Sequence, residues 1–393
     1  MTKEATKEQT HLISTQPKLY YVNGKRVEQI KKSMIAETER LPCVKAEKRR
    51  GEEIRQALKD RKLLKTDARI TSNDTFIYLP LIRALTDAEK REIGTAELTT
   101  CEFAILERRR SIEDIAGFKP SYEVIGDIAV LTEAVNGTKE QIVAQALMNK
   151  HKNIEVVAKR ISAVEGVFRT RQLQIIGGEN RTETMHKENG CRYKLDLEKV
   201  YFNPRLAGER NRVASQVARS SVKEEDVLDM FAGVGPFSIQ VAKRAPQSHV
   251  TAIDINPDAI LYLRENMKLN GVRNIEAIEG DIRDMYGNFR DKADRIIMNL
   301  PKSAYLFLHE ALGMLKPHGG ILHFYALEFA YPEEGEEKHD ALERAITQAK
   351  EKFMARVQEL GEESRSVEIL EARKVKAYAP YAYIIGIDAR VNQ

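Results

Sequence analysis

The stretch Val227-Leu-Asp-Met-Phe-Ala-Gly-Val-Gly-Pro-Phe-Ser238 decides how the chain is read. An apolar run ends in a glycine-rich turn, and helical spacing follows over 236–244. Glycine at such a turn lets backbone come close to a ligand. Several classes of nucleotide-binding fold use one, so the surroundings must sharpen the reading. The dinucleotide fingerprint G-x-G-x-x-G is incomplete, because Ser238 stands at the third glycine position, and there is no P-loop lysine. Downstream, HVTAIDIN, IEAIEGDI, ADRIIMNLP and GGILHFYAL read as a second to fifth strand. PDAILYLRENMKLNG and SAYLFLHEALGML read as helices between them. Strands alternating with helices predict an α/β fold with a doubly wound, mostly parallel, Rossmann-like sheet. A final strand pair is expected at 367–373 and 378–389, after a charged segment and a long helix within 332–365.

Upstream, the chain reads as two small α+β domains preceding that sheet. Residues 1–37 are polar without a sustained period and read as an N-terminal extension. In 38–90, GEEIRQALKDRKLL places Ile54, Leu58 and Leu63 on one helical face, and TFIYLPL follows as a strand. Residues 86–115 are charged and read as a connector. In 115–200, YEVIGDIAVL alternates like a strand around a glycine turn, 138–151 is helical, and IEVVAKRI and FRTRQLQIIGG are strands. The hairpin ENRTETMHKENG leads into CRYKLDLEKVYF, and 201–393 forms the sheet domain.

The bulk numbers fit a folded chain, with 42% hydrophobic and 31% charged residues. No apolar run reaches the roughly eighteen residues of a membrane span. MTKEATKEQTHLIS lacks the apolar core of a secretion signal. Cys43, Cys101 and Cys191 match no metal-ligand spacing, so no metal site is expected. A net charge of +4 says little about nucleic acid. Its clusters at 45–50, 108–110 and 160–171 suit phosphates, although charge runs are more often solvated faces.

The carboxyl ends of the predicted strands carry the candidate chemistry, where open α/β sheets bind ligands. Asp254 follows Gly233 by 21 positions and suits a ribose diol. Asp281 suits the adenine region. Together with Asp229 they form three acids beside Gly233 and Gly235, a set that fits the sulfonium and amino acid ends of S-adenosylmethionine better than a pyrophosphate. Each acid alone reads more readily as a helix cap or turn residue, and it is the three together with the glycine turn that point to the cofactor. Asn299-Leu300-Pro301 closes the fourth strand, where an amide carbonyl on a rigid turn can hold an N–H of a base beside a sulfonium. Arg205 and Glu209 are four apart, so on a helix they form an ion pair as the plainest reading.

These segments bear a family resemblance. EVIGDIAVL, HKENGCRYKLDLEKVYFNPRLAGER, VLDMFAGVGPFSI, DINPDA and NLP resemble, in this order, the archaeal and eukaryal tRNA guanine-N1 methyltransferases of tRNA position 37. The resemblance spans roughly residues 38–330 and is most specific over 186–240. It implies a class I methyltransferase domain, S-adenosylmethionine as cofactor with Mg²⁺ assistance, tRNA as partner, and a cytoplasmic monomer without membrane attachment. It also implies roles: Glu209 as general base, Arg169 steadying the guanine oxygen, and Asn299 and Pro301 holding the base. Tyr201, Arg205, Arg210, Ile255 and Ile282 fall in or beside the cofactor contacts. Relatives in wyosine and wybutosine synthesis, which methylate carbon 7 of a tricyclic precursor or transfer an aminocarboxypropyl group, are the nearest alternative. The Val-Gly-Pro-Phe form at 234–237 argues for methyl transfer. A protein-methylating enzyme and a non-enzymatic tRNA-binding protein are more distant readings.

Overall fold

The structure, a computed structural model, describes residues 20–22, 25–27, 38–94, 97–105, 111–133, 137–162, 166, 168–332, 338–361 and 366–392. The cluster at 108–110, most of the extension 1–37 and the acidic stretch 333–337 lie outside the described residues. Within the extension, Tyr20–Val22 and Lys25–Val27 pair as two short strands. The chain divides into two compact units, one ending at Phe118 and the other comprising Lys119–Gln393 with Tyr21–Asn23.

In the first unit, Thr71–Ser72, Phe76–Pro80, Thr38–Glu47 and Glu97–Ala104 form an antiparallel sheet in that order. The helix Gly51–Asp60 buries Ile54 and Leu58. Leu63 is buried as well, but beyond the helix: Lys62 adopts a φ of 57° and the Leu63 N–H turns back to the Leu58 carbonyl. The connector reading of 86–115 is corrected. Thr86 and Glu89 form a capping box for the helix Asp87–Ile93, and Ser111 with Asp114 caps Ile112–Ala116 in the same way. Between them Glu97–Ala104 pairs with residues 38–45, so this domain runs past residue 90.

The second unit opens with Tyr122–Ile125 and Ile128–Leu131, turned at Gly126, then the helix Thr138–Lys150 and the strands Val156–Arg160 and Leu173–Gly178. The hairpin Glu183–Glu188 with Cys191–Asp196 follows. The large sheet has seven strands in the order Ile275–Glu279, His249–Asp254, Asp226–Asp229, Arg295–Met298, Gly320–Phe329, Ala382–Asn392 and Ser366–Ala379. The first five are parallel and the last two add antiparallel.

Neighbouring residues of the central strands serve opposite cores. Val227, Ala252 and Ile297 join one cluster, while Leu228, Ile253 and Ile296 join the other. Both faces are therefore covered, which is why these strands read as continuous apolar runs. The expected division near residue 200 is not a gap in packing, since Ile125, Val156 and Leu195 share a core with Val227 and Val250. Side chains seal the join. Asn266 accepts from the Lys194 N–H at 2.7 Å and donates to its carbonyl at 3.0 Å, and Asn270 does the same for Arg192 at 2.9 and 2.7 Å.

Candidate active site

Four parallel strands end on one side of the sheet, and the turns beyond them enclose a cavity. Gly233 has a φ of 56°, and its N–H donates to Asp254 Oδ2 at 2.7 Å. The Asn256 N–H donates to Asp254 Oδ1 at 2.9 Å. Each carboxylate oxygen thus keeps one lone pair uncommitted on the cavity wall. Burial pushes the Asp254 carboxyl above the ordinary carboxylate range. Ile255 is 38% exposed and Ile282 is buried, and both line the cavity. Asp281 lines it too, but the Arg283 guanidinium binds its two oxygens at 2.6 and 3.0 Å and holds its carboxyl low. Tyr201, Arg169, Arg210, Gly233 and Asn299 complete the expected residues on this wall.

A second, smaller cavity adjoins the first. Arg169, Tyr201, Leu206 and Asn299 belong to both, and Pro301, Lys302, Leu327, Tyr378 and Ile384 line only the second. The Pro301 carbonyl accepts from the Leu327 N–H at 2.9 Å, which fixes the Asn-Leu-Pro turn to the edge of the sheet. Arg169 lies 4.7 Å above the Tyr201 ring and carries a φ of 55°. A left-handed backbone costs a non-glycine residue on the order of 1–2 kcal/mol, and such strain tends to gather at ligand sites.

Four expected residues do not line either cavity. Asp229 ends its strand facing the glycine turn, where the Ser238 hydroxyl donates to Oδ2 at 2.7 Å. Its Oδ1 is buried without a hydrogen-bond partner, and burial pushes the carboxyl up to about 7. Gly235 packs on the helix Pro257–Asn270: a Cβ there would sit 2.2 Å from Leu263 Cδ1. Arg205 reaches instead to Glu123 at 3.2 Å. Glu209 lies on the helix Ala207–Ala218 but makes no pair with Arg205. It accepts from Tyr325 Oη at 2.7 Å, Arg212 Nη2 at 2.8 Å and Arg373 Nη2 at 2.6 Å. Tyr325 and Gly386 lie two residues along their strands from Leu327 and Ile384, which line the second cavity. Glu209 thus lines neither cavity, although its partner Tyr325 sits two residues along the strand from Leu327, which lines the second.

Arg210, by contrast, is a fully buried clamp. It binds both Glu188 oxygens at 2.7 Å and the Asn203 carbonyl at 2.8 Å, with its guanidinium 4.8 Å from the Phe202 ring. Sequence reasoning missed the aromatic wall. Phe168, Phe231 and Phe307 line the first cavity, the last two in an edge-on pair at 5.1 Å. The one signal for Phe231 is its place inside the glycine turn. Among the described residues no cluster of His, Cys, Asp and Glu is arranged to hold a metal ion.

A doubly wound sheet with a cavity over a glycine turn defines a class I methyltransferase fold, which likeness to known proteins makes specific. The model of the TRM5/TYW2 methyltransferase domain matches residues 184–357. Those of the tRNA methyltransferase 5 N-terminal domain and the TYW2 N-terminal domain match 43–89 and 104–182. The tRNA (guanine(37)-N(1))-methyltransferase Trm5b of Pyrococcus abyssi is 40% identical over 353 residues, covering 89% of this chain and 99% of the relative. A Methanocaldococcus jannaschii tRNA(Phe) (4-demethylwyosine(37)-C(7)) aminocarboxypropyltransferase is 34% identical, covering 69% of this chain and 98% of the relative. The solved complex of aTrm5 and tRNALeu superposes with a TM-score of 0.69 at 34% identity, covering 89% of this chain and 99% of that one. The chain belongs to the TRM5/TYW2 methyltransferase family.

Proposed function

We propose that the chain transfers a methyl group from S-adenosylmethionine to N1 of guanosine 37 in tRNA. The observation that carries this reading is the pair of joined cavities with Arg169, Tyr201, Leu206 and Asn299 as their common wall. A donor in one and a planar base in the other would meet at that wall.

The residues present fit the cofactor. Asp254 offers one free lone pair on each oxygen, the acceptor pattern a ribose diol calls for. Ile255, exposed within the cavity, and Ile282 supply apolar surface for a purine. The bound cofactor would contribute an electrophilic methyl group on sulfur. This chain's residues do the rest, chiefly by positioning. Neutral guanine carries a proton on N1, and its removal frees the electron pair that forms the new N–C bond. Glu209 takes that proton in this reading, by resemblance of PRLAGER to the family's motif. Glu209 lines neither cavity and its carboxylate is held by Tyr325 and Arg373, so one of them must give way when the base enters. Charge that spreads to the guanine oxygen is met by Arg169, and Asn299 holds the ring edge through its amide. The target nucleotide has to leave its stack to reach this depth.

A second reading, a wyosine-pathway transfer, is favoured by the aminocarboxypropyltransferase relative. The Val-Gly-Pro-Phe turn at 234–237 supports methyl transfer instead. Mg²⁺ assistance, a monomeric state and a cytoplasmic location rest on the family resemblance alone. Incubating unmodified tRNA with the labelled methyl donor tests the proposal. N1-methylguanosine is expected; no label in unmodified tRNA, with label entering tRNA that already carries the tricyclic precursor, would point to the second reading.

A further inference from the structure

We infer that Arg160, Arg171, Arg205 and Lys376 form a binding site for a phosphodiester of the RNA backbone beside the acceptor cavity. The inference rests on the reading above that RNA is the substrate.

The cluster comes from four separate elements: the strand Val156–Arg160, the loop after it, the turn Pro204–Leu206 and the strand Ser366–Ala379. Its shared carboxylate is Glu123, whose two oxygens are already taken by Arg160 at 2.8 Å and Arg205 at 3.2 Å. Arg171 is only 8% exposed, and among the described residues it has no hydrogen bond or ion pair. Burial weakens the proton affinity of both Arg171 and Lys376; Glu123 opposes this at both, and neighbouring cations add to it, Arg160 for the first and Arg205, Arg160 and Arg169 for the second. Arg171 is enclosed, whereas Arg205 keeps 54% and Arg160 29% of the side chain exposed, so the cluster opens to solvent on one side. Uncompensated buried charge is costly unless something pairs with it. One negative group with two free oxygens is what this set lacks, and guanidinium forks bind phosphate oxygens in pairs.

The placement suits a nucleotide whose base enters the second cavity. Lys376 pairs across the sheet with Ile384, and Tyr378 lies two residues further along the same strand; Ile384 and Tyr378 both line that cavity. Arg205 immediately precedes Leu206, and Arg169 lines both cavities. Arg205, expected from the resemblance to stand beside the cofactor, thereby acquires a different ligand.

The test uses the full chain and an unmodified tRNA transcript with guanosine at position 37. Affinity for the transcript is measured across a salt series for the wild type, Lys376→Gln, Arg171→Gln and the double variant, with cofactor affinity measured in parallel. Loss of the site should weaken tRNA binding about tenfold or more and flatten the log–log salt slope by roughly 0.7–0.9 per lost phosphate contact, while cofactor affinity stays at the wild-type value. If Arg171→Gln unfolds the chain, Lys376→Gln and the RNA side decide. Methylphosphonates at the phosphates flanking the target nucleotide should weaken wild-type binding and add little to the Lys376→Gln defect, because both remove one contact. Variants that bind with wild-type affinity and slope would overturn the phosphate site. A wild-type chain that binds no tRNA would overturn the substrate reading instead.

Discussion

Glu209 is held by three donors from three elements, Tyr325, Arg212 and Arg373. Arg212 and Arg373 also reach Asp388 at 2.6 and 3.3 Å, and His323 Nδ1 lies 2.8 Å from Asp388. Arg295 sits 2.8 Å from His323 Nε2. An arginine cannot accept, so Nε2 is the acceptor and the Nδ1–H donates to Asp388, leaving His323 neutral. Burial, which lowers the His323 pKa, acts in the same direction. Glu209→Gln keeps the shape but removes the charge. We expect turnover to fall about 10²- to 10⁴-fold with cofactor affinity retained, as read by single-turnover rates and calorimetry. A normal rate with a lowered melting temperature would make Glu209 purely structural. Asp254→Ala should weaken cofactor binding by roughly 10- to 100-fold, the loss of charge-assisted hydrogen bonds; unchanged binding would remove Asp254 from the site. Asp229 gives a pH signature. Its carboxyl is raised by burial from 3.8 to about 7, so between those values the unfolded chain releases a proton that the folded chain keeps. Stability is therefore lost as pH rises through that window, on the order of 4 kcal/mol at most. Asp229→Asn should flatten the dependence of stability on pH between 4 and 7 in denaturant titrations, and an unaltered profile would exclude Asp229 as its source. At this scale the sequence was legible wherever a site residue ends a strand, as with Asp254 and Asn299. Which way an end residue turns was not, hence Asp229 and Gly235. Nor were two of the three partners of Glu209, Tyr325 and Arg373, which lie 116 and 164 positions away.

At the scale of elements, the glycine turn and its helix were legible because every local signal agrees. An apolar strand, a positive-φ glycine pair and Pro236 at the first helical turn all point the same way. Gly235 serves the packing of two helices. Gly235→Ala should cost several kcal/mol, roughly 2–4, since it adds a left-handed alanine to a steric overlap with Leu263. Chemical denaturation of the variant checks this, and a loss below about 0.5 kcal/mol, the level of a neutral surface change, would contradict the packing argument. Glu97–Ala104 was missed because its strand is mostly polar and only Phe103 is fully buried. Its place is set by pairing with Thr38–Glu47 rather than by its own pattern, a non-local cause. The final hairpin was anticipated, but its strands, Ser366–Ala379 and Ala382–Asn392, are longer than the apolar pattern suggests. The first of them is largely exposed and charged, as befits an edge strand.

For the molecule as a whole, that hairpin matters more than its distance in sequence from the glycine turn implies. It brings Arg373 to Glu209, Asp388 to Arg212, and Tyr378 and Ile384 to the second cavity. The first cavity draws Gly233, Asp254 and Asp281 from the first three strand ends, and the second is assembled from residues of 169–206, 299–302 and the last strands. Strand-end residues of either cavity, Asp254, Asp281 and Asn299, could be placed from the sequence, whereas Arg169, Tyr201 and Glu209, which lie off the strand ends, came only through family resemblance. The central claim is methyl transfer to N1 of guanosine 37. The most direct measurement is transfer of label from the S-methyl of S-adenosylmethionine to two tRNA transcripts, one with guanosine and one with adenosine at position 37, followed by nucleoside analysis. The account predicts N1-methylguanosine from the guanosine transcript and no labelled product from the other. Tight cofactor binding with label in neither transcript would contradict it.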